Sequence, residues 1–302
     1  MLSSPKFHFF ALIFSYLQYR ANSHNPEKPG ATLTLNNDCP CGFYDATNDN
    51  LFTESLIVYF NETTKFPTDQ FTIQDCKHKW ERGFNTIYRE GASTDNVILA
   101  NASDSANSTV FPYPSLQMYI DTAEKNHLVV GSQINSVRQD MQYGSFSALV
   151  RGPSPYSGGS VISMIFYHND SQTFQMDLQN ANSPQTTWLA TLVAGEFPDQ
   201  SPGINYTTLN DTSFSNYTSS PYDYVNLQVD WDYKSINFSY SDIVTRSVTR
   251  KEDSSVPSVP GPLIFQYWSD GDKYRSQGPP HERNAVNIYR VDSNVLQLVY
   301  HD

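Results

Sequence analysis

Positive charge is scarce in this chain. Nineteen Lys and Arg stand against 31 Asp and Glu in 302 residues, a formal net charge of −12. No long basic run appears, and the group Arg246, Arg250 and Lys251 runs straight into Glu252 and Asp253, the pattern of a solvated loop. That balance disfavours nucleic acid and anionic membrane surfaces as partners. Cysteine is also scarce, at Cys39, Cys41 and Cys76. A Cys39–Cys41 bridge would strain a very short loop, so a bond from one of them to Cys76 is favoured, with one thiol left over. Three cysteines without a convergent histidine motif do not make a zinc site, and neither metal nor cofactor is expected. No long stretch has helical periodicity and no internal repeat is visible. Beyond the N-terminus no apolar run is long enough to span a bilayer.

What the chain does contain points to export. Residues 1–23 read as a secretory signal: Lys6 supplies charge, Phe7 to Leu17 are mostly apolar, and Ala21, Asn22 and Ser23 give small residues at cleavage spacing. An apolar run of about 11 residues is too short for a membrane anchor. Residues 24–40, with Pro26, Pro29 and Gly30, read as a flexible lead-in to a single domain over 41–302. Eight N-x-S/T sequons fit an extracellular or cell-wall glycoprotein: Asn61, Asn101, Asn107, Asn169, Asn205, Asn210, Asn216 and Asn237.

Aromatics make up 14% of the chain, with 20 Tyr and 18 Phe, which suits strands and also sugar-stacking platforms. Short alternating segments recur at Ser55–Phe60, Gln117–Ile120, His127–Ser132, Ser145–Val150, Val161–Tyr167 and Thr173–Gln179. More follow at Trp188–Val193, Tyr224–Val229, Ser235–Tyr240, Leu263–Trp268, Val286–Tyr289 and Val295–Tyr300. With Gly, Pro, Asn and Asp between them, they predict an antiparallel β-sandwich. Ser201–Pro221, rich in Ser, Thr and Asn, reads as a glycosylated loop, and Thr249–Pro262 as another.

The most informative stretch is SQTFQMDLQN, Ser171 to Asn180. As a strand it turns Phe174, Met176 and Leu178 to a core and Gln175, Asp177 and Gln179 to the opposite face. A retaining glycosidase needs two carboxyl groups about 5 Å apart, one a nucleophile and one a proton donor. Residues two apart on a strand face are spaced for this, at roughly 6.5 to 7 Å along the backbone. Here both outer positions are amides, which are neither acids nor useful nucleophiles.

Several separated segments together resemble glycoside hydrolase family 16. QYGSFSALVRGP (Gln142–Pro153) looks like the family's Y-G-x-F-x-A-R strand, and GGSVISMIFYHND (Gly158–Asp170) like the strand leading into its active strand. YDYVNLQVDWDYKSINFSYSDIVTRSVT (Tyr222–Thr249) resembles a later hairpin, and PLIFQYWSDGDKYRSQGPP (Pro262–Pro280) a Trp- and Gly-rich segment of fungal members. The resemblance implies an all-β, concanavalin A-like jelly roll of two antiparallel sheets with a glycan-contacting concave cleft. It places Gln175 at the nucleophilic glutamate, Asp177 at the supporting aspartate, and Gln179 at the acid/base glutamate, or Asn180 if the strand is bulged.

The expectation is therefore a secreted family 16-like protein that contacts polysaccharide of the β-glucan class, with lost or weak hydrolysis. The alternative is a working hydrolase or transglycosylase of β-glucans, which needs a second acid from a loop. Asp170 and Glu196 are the nearest charged residues in sequence. Trp188, Trp231, Tyr267 and Trp268 are candidates to stack on sugar rings. Trp231 suits core packing better, and at most one of the neighbours Tyr267 and Trp268 faces the cleft. A glycan at Asn169 would crowd one end of that cleft.

Overall fold

The computed structural model of the chain describes residues 43–45, 50–52, 54–77, 88–100, 114–123, 126–153, 157–180, 187–195, 203–209, 224–241, 243–250, 256–272 and 276–295. Within them run β1 (Phe43–Asp45), β2 (Asn50–Phe52), β3 (Glu54–Tyr59), β4 (Phe71–Ile73), β5 (Cys76–Lys77), β6 (Arg89–Ala92), β7 (Val97–Ala100), β8 (Ser115–Ile120) and β9 (Leu128–Ser136). They continue as β10 (Gly144–Arg151), β11 (Ser160–Asn169), β12 (Gln172–Asn180), β13 (Thr187–Gly195), β14 (Gly203–Leu209) and β15 (Tyr224–Trp231). The last four are β16 (Ser235–Tyr240), β17 (Ile243–Thr249), β18 (Leu263–Trp268) and β19 (Asn284–Val295).

β1 and β2 pair only with each other, and the other strands build the expected sandwich of two antiparallel sheets. One sheet has eight strands in the order β17-β16-β15-β10-β19-β8-β7, with β3 added along β19. The other has nine, in the order β14-β13-β12-β11-β18-β9-β6-β5, with β4 added along β9. The β6–β9 pair is parallel. The period-two pattern explains the packing. Ile162, Met164 and Phe166 of β11, Phe174, Met176 and Leu178 of β12, and Phe265 and Tyr267 of β18 meet Phe146, Leu227, Val229 and Phe238 of the facing sheet in one core.

Trp231 sits at the centre of that core. Its ring lies 4.6 Å from Phe166, 5.0 Å from Tyr143 and 5.4 Å from Phe174, centroid to centroid. Its indole N–H donates to the Pro257 carbonyl at 3.0 Å, so its one polar atom is satisfied without solvent. Gly131 marks where β9 and β18 approach too closely for a side chain: a Cβ there would lie 2.0 Å from the Tyr267 carbonyl oxygen.

Two sequence expectations are corrected. Within Ser201–Pro221, residues 203–209 are not loop but the edge strand β14, paired with β13 from Leu189↔Leu209 to Gly195↔Gly203. Its Thr and Tyr residues are good sheet formers, and their polarity suits an edge. Val286–Tyr289 and the start of Val295–Tyr300 are not separate strands, since β19 runs unbroken from Asn284 to Val295. The signal, the lead-in, Cys39 and Cys41 lie outside the described residues.

Candidate active site

β12 lies between β11 and β13, in register Ser163↔Asp177 on one side and Asp177↔Ala190 on the other. The pairing on both flanks runs without a shift from Thr173 to Asn180. The strand is therefore unbulged where it matters. Gln175, Asp177 and Gln179 share the outward face, whereas Asn180 turns the other way and donates from Nδ2 to Ser160 Oγ at 3.1 Å.

The outward face carries a hydrogen-bonded chain. Trp268 Nε1 donates to Ser163 Oγ at 2.8 Å, and Ser163 Oγ donates to Asp177 Oδ1 at 2.5 Å. Gln175 Nε2 donates to the same Asp177 oxygen at 2.6 Å. Asp177 Oδ1 thus accepts from both Ser163 and Gln175. Gln179 differs. Neither its Nε2 nor its Oε1 has a hydrogen-bond partner, although the residue is 1% exposed. Burying an amide without partners costs about 1–3 kcal/mol.

The opposite sheet supports this strand from below. The Tyr240 hydroxyl lies 3.2 Å from the main-chain oxygen of Asp177 and 3.3 Å from that of Ala190, and donates to the pair. Arg246 of β17 donates from Nη1 to the Thr191 carbonyl at 2.9 Å, tying the edge of one sheet to β13 of the other. Burial pulls the Arg246 pKa below its ordinary value, with Tyr240 opposing.

The face is closed to solvent. Gln175, Asp177 and Trp268 are 3%, 2% and 3% exposed, so the open concave cleft expected from the sequence is not what these residues line here. Trp268 shares the face of Asp177 but spends its N–H on Ser163. Tyr267 points to the core, its hydroxyl 2.7 Å from Ser160 Oγ and bonded to Asn284. Trp231 is a core residue. Neither Tyr267 nor Trp231 can stack on a sugar, because alternation along β18 and β15 turns both between the sheets.

Trp188 pairs with Gln179 in register, and its side chain lies outside the described residues. Asp170 is in the β11–β12 turn, where the Tyr167 hydroxyl donates to it at 3.1 Å. The seven residues from there to Asp177 run away from the site, on the order of 20 Å at strand rise. Glu196 lies outside the described residues, as do Asn101, Asn107, Asn210 and Asn216. Asn61 is exposed in a turn, Asn169 is exposed at the end of β11, Asn237 is half-buried on β16, and Asn205 lies on β14. Among the described residues no group of three His, Cys, Asp or Glu could hold a metal ion, and no helix is long and apolar enough to cross a membrane.

Sequence reasoning missed Ser163 and Tyr240, and it put Arg246 in a solvated loop although the residue lies half-buried on β17. Ser163 had a signal: it is the one hydroxyl in the apolar run Val161–Phe166, on the face that meets Asp177.

The model of glycosyl hydrolases family 16 matches residues 100–288. No curated protein matches the chain. Among solved structures, a Bacillus licheniformis β-glucanase is 12% identical with a TM-score of 0.54, covering 80% of this chain and 97% of its own. LamA from Z. galactanivorans, solved with laminaritriose and laminaritetraose, is 10% identical with a TM-score of 0.57, covering 80% and 99%. A Bacteroides ovatus family 16 protein in complex with a mixed-linkage glucan product is 14% identical with a TM-score of 0.54, covering 78% and 98%. Likeness at such identity is a likeness of fold, here the jelly roll. The family match spans more than half of the chain, and with the ordered strands around β12 it makes this chain a member of glycosyl hydrolases family 16.

Proposed function

We propose that this chain is an exported, wall-associated protein that contacts polysaccharide of the β-glucan class at the outward face of β12 and does not hydrolyse it by the family's two-carboxylate route. The observation that carries the reading is the Gln175–Asp177 bond of 2.6 Å. The group beside Asp177 is an amide donor, and no carboxyl stands at either flanking position. A retaining mechanism needs carboxyls about 5 Å apart and an inverting one about 6.5–9.5 Å. Glu90 meets this face at Gln266, 3.5 Å from its carboxylate. Gln266 pairs with Ser163 one strand beyond, which puts it two strand spacings from Asp177, roughly 10 Å.

Glycan contact is supported by the oligosaccharide complexes of the family neighbours and by the unpartnered Gln179 amide, which suits a sugar hydroxyl in both its donor and its acceptor roles. Because the face is closed, contact requires it to open at the Gln179 end. Secretion and glycosylation rest on the N-terminal signal pattern and the eight sequons.

The test is a product assay by mass spectrometry with glycosylated protein and a panel of β-glucans. Unchanged oligomers with measurable binding support the reading. Shorter or transferred products, absent from Asp177→Ala, overturn it. Gln175→Glu with Gln179→Glu in a folded protein is expected to restore some hydrolysis.

A further inference from the structure

A second polar site lies on the other side of the molecule, on the outer face of the eight-stranded sheet. β19 carries a bulge there. Leu149 of β10 pairs with Arg290 but its neighbour Val150 pairs with Ile288, so Tyr289 is an extra residue with no partner position on β10. The bulge aims the Tyr289 ring at Tyr224 of β15, 4.5 Å away between centroids in an edge-on contact. Tyr224 is 36% exposed, one of few large apolar side chains so placed.

Around this aromatic pair stand polar groups without partners. Tyr289 Oη, Asn287 Nδ2 and Asn226 Oδ1 are each buried and make no hydrogen bond. Asn287 is 0% and Tyr289 6% exposed, so their unmet donors and acceptors are costly. The register gathers them. Asn226 and Arg290 flank Leu149, and Tyr224 and Asn287 flank Arg151, two residues further along β10. Ser115 fills only the Oδ1 side of Asn287, at 2.8 Å. Arg290 has its charge met by Asp292 at 3.0 Å. The half-buried Arg151 stands in register between Tyr224 and Asn287, so the patch offers hydrogen bonds, an aromatic face and a guanidinium donor.

A donor, an acceptor and a group that is both, beside a half-exposed tyrosine, match a neutral polyhydroxylated ring. Sugar hydroxyls serve all three roles, and a tyrosine face takes the apolar side of the ring. We propose that this face is a second binding site for a neutral oligosaccharide, separated from β12 by the full thickness of the sandwich. The site would let one chain hold polysaccharide on two opposite surfaces. It does not rest on the reading of β12.

The experiment is a titration of the folded protein with laminaritetraose and cellotetraose, read by calorimetry and native mass spectrometry. The variants are Tyr224→Ala, Asn226→Ala and, as a control on the other sheet, Gln179→Ala. Tyr224 is exposed and Asn226 half-buried, and unchanged melting of either variant shows that the fold is kept. The expected result is a binding step weakened tenfold or more in Tyr224→Ala and in Asn226→Ala, and retained in Gln179→Ala. Unchanged affinity and stoichiometry in both eight-stranded-sheet variants overturns the site, as does wild-type protein with no binding that survives Gln179→Ala. The β12 reading fails separately, if Gln179→Ala alters nothing.

Discussion

Replacing Gln175 with glutamate keeps the shape of the β12 network and removes one donor. In the wild type, Gln175 Nε2 gives its hydrogen to Asp177 Oδ1 at 2.6 Å, and both residues are no more than 3% exposed. In Gln175→Glu two carboxyl groups face each other with charge centres roughly 4 Å apart, which costs about 4 kcal/mol at an effective dielectric constant of 20. The pair avoids that by keeping one proton, so its upper pKa rises above the ordinary glutamate range. The sign follows from proton counting. Above the ordinary glutamate pKa the folded variant still holds a proton that the unfolded chain has lost, so its stability falls as pH rises through that range. Relative to wild type, the loss is small near pH 4.5 and reaches about 2–4 kcal/mol by pH 8. Urea unfolding of both proteins at the two pH values measures it. A second change, Asp177→Asn, removes the conflict and restores most of the stability at pH 8. A difference below about 0.5 kcal/mol at pH 8, or equal at both pH values, would refute the hydrogen-bonded arrangement around Asp177.

Tyr240→Phe removes the hydroxyl that braces the Asp177 and Ala190 carbonyls and is expected to cost about 1 kcal/mol in chemical denaturation, with wild-type values counting against that brace. Gly131→Ala drives a Cβ to within 2.0 Å of the Tyr267 carbonyl oxygen, so β9 and β18 must separate. A lower melting point corresponding to about 1–3 kcal/mol is expected, and an unchanged one would contradict the close approach.

The faces of the strands were legible because alternation is a local property. Phe174, Met176 and Leu178 go inward and Gln175, Asp177 and Gln179 outward whatever the rest of the chain does. The same rule separates Tyr267 from Trp268. It could also have set Trp231 firmly in the core, since Val225, Leu227 and Val229 precede it on the inward register of β15. What alternation does not report is what lies over a face. Asp177 at 2% exposure looks in sequence like a cleft residue and is in fact sealed. The β14 strand was hidden for a related reason: an edge strand needs few apolar residues, so its Thr and Asn content matches that of a loop. The bulge at Tyr289 depends on two neighbouring strands, and no reading of β19 alone reveals it.

Gln175 and Gln179 share one face of β12 and meet opposite physical outcomes. At Gln175 the amide completes a chain from Trp268 through Ser163 to Asp177, in which each donor meets an acceptor. It belongs to the structure of the sheet. At Gln179 the amide meets nothing, and its two unpaired atoms weaken the folded state. A leucine there is similar in size and brings no polar group, so Gln179→Leu is expected to raise stability by about 1 kcal/mol, as removal of an unsatisfied buried group does. If the amide is kept because a glycan completes it, the same change lowers β-glucan affinity by about tenfold, the worth of one good hydrogen bond. Urea unfolding and calorimetric titration of this one variant decide the matter. Stability and affinity must move in opposite directions. A variant that gains stability and binds as before would make Gln179 a remnant of lost chemistry, and the polysaccharide contact would have to lie elsewhere on the molecule.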